Sequence, residues 1–202
     1  MIAVSAARDQ GYGCAPMNPL ITDVATLRAA VERGETFSYR FFWRPLVAAD
    51  GRLTDACLGQ WWMSDFVVDG VTYTSAEQWM MAGKATLFGD RAVREEILAT
   101  RDPSAVKKLG KRVRNFDEAT WKARCLDLVT DGNVAKFSQD AALRAHLVGT
   151  GDAVLVEASP LDKIWGIGLA ADHPDACDPR RWRGANLLGF ALMRARARIT
   201  TA

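Results

Sequence analysis

Histidine is scarce: His146 and His173 are the only two in 202 residues. A His-rich metal centre is therefore not expected. A Ser–His–Asp triad would need one of these two, and neither sits in a recognisable setting. The four cysteines, Cys14, Cys57, Cys125 and Cys177, stand far apart with no CxxC pair. That spacing indicates neither a disulfide framework nor a zinc site. Reduced thiols in a cytoplasmic protein is the simple reading. Long hydrophobic runs are also missing, and none approaches the ~20 residues needed to span a bilayer. The stretch Met1–Gln10 carries Arg8 and Asp9 and lacks the apolar segment of a secretion signal. Charge of one sign is not in excess: 26 basic residues face 24 acidic ones, leaving +2. This excludes a nucleic-acid-binding polycation but leaves room for local patches. No G-x-G-x-x-G opens a helix after a strand and no Walker loop is present, so Rossmann and P-loop readings fail. Internal repeats and low-complexity tracts are absent.

The unusual presence is tryptophan, with seven, at 43, 61, 62, 79, 121, 165 and 182. Buried indoles need a partner for their N–H, and they stack well on heterocycles. Hydrophobic residues at 49% and charged residues at 25% describe a globular chain able to bury a sizeable core. Residues 1–20, with Gly11, Gly13, Pro16 and Pro19, read as a mobile extension. Residues 21–202 read as a single domain. A short helix is expected over Asp23–Arg33 with Thr22 as its cap, then a strand over Phe37–Phe42 and a turn at Asp50-Gly51. Two β runs flank Asp69-Gly70, the strongest hairpin signal in the chain. Helices follow from Thr74 or Ser75 to about Phe88, from Asp90 to Thr100, and from Asp102-Pro103 to Gly110. Further helices start at Asp117, at Asn133 and at Ala141. Ala153–Glu157 reads as a buried strand, and a last helix runs from Asn186 to about Ile199. The order predicts an α+β fold, mostly helical with a small antiparallel sheet, rather than a βαβ series.

Four stretches carry candidate chemistry. Thr74-Ser-Ala-Glu77 admits two readings. One is a capping box between Thr74 and Glu77. The other is a carboxylate at a helix N-terminus, kept ionised by the helix dipole and facing a cleft. Asp162 and Trp165 lie three apart in a loop after the last strand, where function often sits. Lys107, Lys108, Lys111, Arg112 and Arg114 crowd eight positions without an acidic residue. They form either a solvated face or a phosphate-reading patch, which Lys84 would join. Asn186 either caps the last helix or places an amide in the cleft.

Taken together, these stretches resemble the NADAR (YbiA-like) family. The resemblance runs from about Phe37 to Arg198. It rests on Val68–Tyr73, Ser75–Lys84, Lys108–Arg114, Ala135–Phe137, Leu155–Pro160, Asp162–Gly166 and Arg183–Gly189, in that order and spacing. It implies an α+β domain with a cleft for a ribosylated base or ADP-ribose-like ligand, and N-glycoside hydrolysis without a cofactor. It implies substrates of two kinds, ribosylaminopyrimidine phosphates of riboflavin synthesis or ADP-ribosylated guanine in nucleic acid. The alternative is a non-catalytic module binding NAD or ADP-ribose. By resemblance Glu77 and Asp162 are the catalytic carboxylates. Trp165 or Trp121 stacks the base, Lys84, Lys111, Arg112 and Arg114 meet phosphate, and Gln60, Gly166 and Asn186 line the substrate. Two departures stand out. Gln78 replaces a frequent histidine, and Leu58-Gly59-Gln60-Trp61 stands where the family has L-S-N-F.

Overall fold

The computed structural model of the protein describes residues 21–44 and 52–201. The expected extension over 1–20 and the turn at Asp50-Gly51 lie outside these residues. Among the described residues there are seven α-helices and four strands. Helix α1 (Val24–Glu32) is followed by strand β1 (Tyr39–Phe42) and a 3-10 turn at Asp55–Leu58. Strands β2 (Met63–Val68) and β3 (Val71–Ser75) then lead into α2 (Ala76–Leu87), α3 (Arg91–Leu98) and α4 (Pro103–Gly110). Helices α5 (Glu118–Gln139) and α6 (Ala141–Val148), strand β4 (Val154–Glu157) and helix α7 (Leu187–Thr201) complete the chain.

Local chemistry explains most boundaries. Asp69 and Gly70 both adopt positive φ, 50° and 75°, as a two-residue I′ turn between antiparallel β2 and β3 requires. Asp102, Asp117 and Asp140 cap α4, α5 and α6 by accepting first-turn backbone N–H groups. Two expectations shift. Asp23, not Thr22, caps α1: its carboxylate accepts from Thr26 N while the Thr26 hydroxyl accepts from Asp23 N. The segment from Asn133 is not a separate turn but the end of the 22-residue α5, which stops only where Asp140 turns to cap α6.

A second pairing lies beyond local signals. Strands β1 and β4 run parallel, in register from Tyr39–Val154 to Phe42–Glu157. Wholly apolar β4 residues Leu155 and Val156 are fully buried, and α7 lies across this strand. The contact is close enough that a Cβ on Gly189 would fall on the Leu155 carbonyl oxygen. One hydrophobic cluster reaches from Ile21 through α2, α5 and β4 to Ile199. This packing brings the start of α2, the end of α4 and the C-terminal end of β4 to one place.

Candidate functional site

A cavity of about 780 Å³ opens where these elements meet. The segment Gly59–Trp62 forms one wall. Helix α2 supplies Glu77, Met80, Met81 and Lys84, and α4 with the residue after it supplies Lys107, Gly110 and Lys111. Trp121 comes from α5, and Glu157, Ser159, Leu161, Asp162 and Trp165 come from the end of β4 and its loop. Trp43 and Arg44 close the rim, the guanidinium 4.5 Å from the indole centroid.

Glu77 does not close a capping box with Thr74. Strand β3 continues through Ser75, and the Thr74 N–H is taken by Gln78 Oε1 at 2.7 Å. Ser75 is the cap, accepting from Gln78 N at 3.2 Å. Glu77 thus occupies the second helical position, only 3% exposed, and its Oε1 has no hydrogen-bond partner. Its backbone N–H donates to Gln60 O at 3.0 Å, which ties α2 to the Gly59–Trp62 wall. Burial pushes the Glu77 carboxyl up to about 7, with Asp162 adding to the rise. Lys107 and the Trp61 side chain work in the opposite direction.

Glu157 is a second carboxyl, half-buried, whose buried Oε2 is likewise without a partner. Burial, then the charge of Asp162, push it up to about 8, with Glu77 adding and Lys107 opposing. Its backbone is pinned on both sides. Glu157 N donates to Asn186 Oδ1 at 3.0 Å, and Glu157 O accepts from Ile167 N at 2.9 Å. Asp162 is partly exposed and shapes its own loop, with Oδ1 accepting from Ile164 N and Trp165 N at 2.8 Å each.

Cations and aromatics line the remainder. Lys84 donates to Gly110 O at 2.9 Å and lies 4.3 Å from the Phe116 ring centroid, and partial burial lowers its pKa. Lys107 lies 5.9 Å from the Trp61 ring centroid. Gln60 is buried in the wall, where its Oε1 is 3.4 Å from Asn133 Nδ2. Among the described residues no group of three or more His, Cys, Asp or Glu side chains is placed to hold a metal ion.

The structure therefore brings together Glu77, Asp162, Trp165, Trp121, Lys84, Lys111 and Gln60. It leaves four expected site residues off the cavity wall. Arg112 turns to Glu96 at 2.8 Å, and Arg114 forks onto Asp90 at 2.7 and 3.0 Å. Asn186 is buried at positive φ, its amide bridging Leu155 O and Glu157 N, so it holds the strand end rather than reaching the cavity. Gly166 permits close packing, since a Cβ there would lie 2.8 Å from Glu157 O. Gln78, at the frequent histidine position, points its amide away from the cavity to the carbonyls of Ile97, Leu98 and Thr100. Glu157, Trp61 and Trp62 belong to the wall without having been singled out as site residues, and Lys107 of the basic run joins them. A lone carboxylate ending an otherwise apolar strand was the available signal for Glu157.

A family model described as the NADAR domain matches residues 41–200. The chain belongs to the NADAR family. Among NADAR relatives, "N-glycosidase R617" of Acanthamoeba polyphaga mimivirus is 48% identical over 124 residues, covering 61% of this chain and 73% of that protein. "N-glycosidase YbiA" of Escherichia coli is 31% identical over 132 residues, 65% of this chain and 74% of that protein. The NMR structure of E. coli YbiA superposes with a TM-score of 0.60 at 26% identity, over 83% of this chain and 88% of that one. A maize relative, "Riboflavin biosynthesis protein PYRR, chloroplastic", is 30% identical over 144 residues, which is 68% of this chain but 21% of that protein.

Proposed function

We propose that this NADAR protein is an N-glycoside hydrolase that breaks the C1′–N bond of a ribosylated nitrogen base. The observation that carries the reading is the pair of carboxyls, buried Glu77 and half-buried Glu157, each with a buried, unpartnered oxygen in one tryptophan-lined cavity. Breaking the ribosyl C1′–N bond builds positive charge on the sugar, and fixed negative charge near C1′ lowers that barrier. Glu77, ionised, stabilises this charge and accepts a proton from the attacking water. In this reading Trp165 and Trp121, both on the cavity wall, stack the base, and the wall lysines Lys84, Lys107 and Lys111 meet phosphate. The N-glycosidase names of the mimivirus and E. coli relatives support this class.

Two substrates fit the chemistry. The maize relative's name favours a ribosylaminopyrimidine phosphate of riboflavin synthesis. ADP-ribosylated guanine in nucleic acid shares the bond type and needs a basic surface beside the cavity, which the exposed Lys107 and Lys111 begin to provide. A non-catalytic NAD or ADP-ribose module is favoured by one observation, that unpartnered carboxyl oxygens also suit ribose hydroxyls.

The test offers both substrates to wild type and to Glu77→Gln, with released base and sugar read by mass spectrometry. The expected result is release from one substrate by wild type and a loss on the order of 10²–10⁴-fold in the variant. Binding of ADP-ribose to both proteins without release by either would favour the binding module instead.

A further inference from the structure

The hydrolysis needs a proton for the departing nitrogen as well as a base for water. Asp162 is the carboxylate suggested by family resemblance. In the structure its Oδ1 is engaged by two backbone N–H groups, and its own N–H donates to Ser159 Oγ at 3.2 Å. These contacts belong to the loop, and their evident product is the placement of Trp165. Glu157 is differently built. Its backbone is held by the parallel partner strand, by the buried Asn186 amide and by Ile167. Its side chain lines the cavity, and its buried Oε2 is left without a partner. A rigidly carried carboxyl aimed into a cavity, with hydrogen-bonding capacity unspent, has the geometry of a group that acts on a ligand.

Resting on the hydrolase reading above, we propose that Glu157 is the catalytic proton donor of this cavity and that Asp162 is a positioning residue for the Trp165 loop. In the step, the C1′–N bond breaks and its electron pair goes to the base nitrogen, which takes the Glu157 proton. A water oxygen bonds to C1′ and its proton passes to the Glu77 carboxylate. Glu77 then loses a proton and Glu157 regains one through solvent, so the enzyme is restored.

The charges facing Glu157 favour this division. Glu77 from α2 and Asp162 from the loop press towards keeping its proton, and Lys107 from α4 opposes them. Burial and these carboxylates push Glu157 up to about 8, against about 7 for Glu77. Both carboxyls are pushed up in one cavity, so they titrate as a coupled pair that retains a proton near neutrality.

The experiment is a pH–rate profile of the full chain on whichever ribosylated base wild type turns over, with Glu157→Gln, Glu157→Asp and Asp162→Asn alongside. A parallel titration of ¹³C-labelled glutamate carboxyls follows ionisation directly. A bell-shaped wild-type profile is expected, with its alkaline limb matching the carboxyl that titrates highest. Glu157→Gln should remove both that limb and that signal and cut kcat/KM by roughly 10²–10³-fold. Glu157→Asp should restore a limb at reduced rate, and Asp162→Asn should keep it. Wild-type turnover with the limb intact in Glu157→Gln, or lost only in Asp162→Asn, would overturn the proposal while leaving the hydrolase reading standing. Absence of turnover by wild type on either substrate would instead overturn the hydrolase reading, and the proton donor with it.

Discussion

Glu77 and Glu157 exchange bulk water for a cavity wall, and the cost of doing so depends on pH. An unfolded glutamate titrates near 4.5, whereas these two reach about 7 and about 8 when folded. Well below 4.5 both states carry the protons and nothing is lost. As pH rises from there to about 8, the unfolded chain releases its protons first, so stability falls with rising pH. Above both folded values the cost is constant. Glu157→Gln removes that cost, so relative to wild type it should be more stable at pH 9 by about 1–3 kcal/mol and nearly equal at pH 4. Denaturant unfolding of the two proteins at both pH values checks this. A variant less stable at pH 9 would mean that the carboxylate has a stabilising partner there. At this scale the sequence was readable where type and position coincide, as with Glu77 at a helix start and Asp162 and Trp165 in a loop after a strand. It was unreadable where a long side chain chooses between partners. Arg112 and Arg114 sit in the same basic run as Lys107 and Lys111, yet Glu96 and Asp90 capture them. Those carboxylates are brought into reach only by the packing of α3 beside α4.

Elements with local signatures were legible because their signals act within a few residues. The Asp-Gly turn, the Asp caps and Pro103 at the first position of α4 each set a backbone state directly. The β1–β4 pair carries no such signal. Its partners are more than 100 residues apart, and the apolar character of either strand does not say what it pairs with. What fixes the pair is tertiary: α7 lies on β4, and Asn186, just before α7, threads its amide between Leu155 and Glu157. Gly189 is the point of closest approach, so Gly189→Ala tests the arrangement. The obstacle to a methyl there is backbone, the Leu155 carbonyl, together with the Asn186 amide, and backbone gives way poorly. The expected cost is about 1–3 kcal/mol or more, read as a lower Tm. Because the strain is delivered to the strand that carries Glu157, kcat should fall even at temperatures where the variant stays folded. Gly34→Ala is the contrasting case. A Cβ there meets no atom, so only the positive-φ penalty remains and catalysis should be unaffected.

Across the whole molecule the charges nearly cancel, at +2, yet the cavity concentrates cations at its mouth and carboxyls at its floor. Lys107 and Lys111 stand exposed at the rim, while Glu77 is buried. A ligand with an anionic end and a sugar matches this gradient, its phosphate outside and its ribose within. Among the described residues no helix is long and apolar enough to cross a membrane. Binding of such a ligand to the folded state alone raises stability by about 2.7 kcal/mol at a hundredfold excess over Kd. For a chain of this length that is a rise in Tm of roughly 5–10 °C. Ribose 5-phosphate and ADP-ribose, the sugar products of the two candidate substrates, should therefore differ in thermal shift, and the larger shift identifies the number of phosphates the rim accepts. Lys107→Gln should diminish the shift and steepen its loss with salt less than wild type, since one phosphate contact is gone. Arg112→Gln should leave the shift unchanged, because its guanidinium is paired with Glu96 away from the cavity wall. Equal shifts in all three proteins would place the phosphate elsewhere, and the cation gradient would then serve only to hold down the pKa values of Glu77 and Glu157.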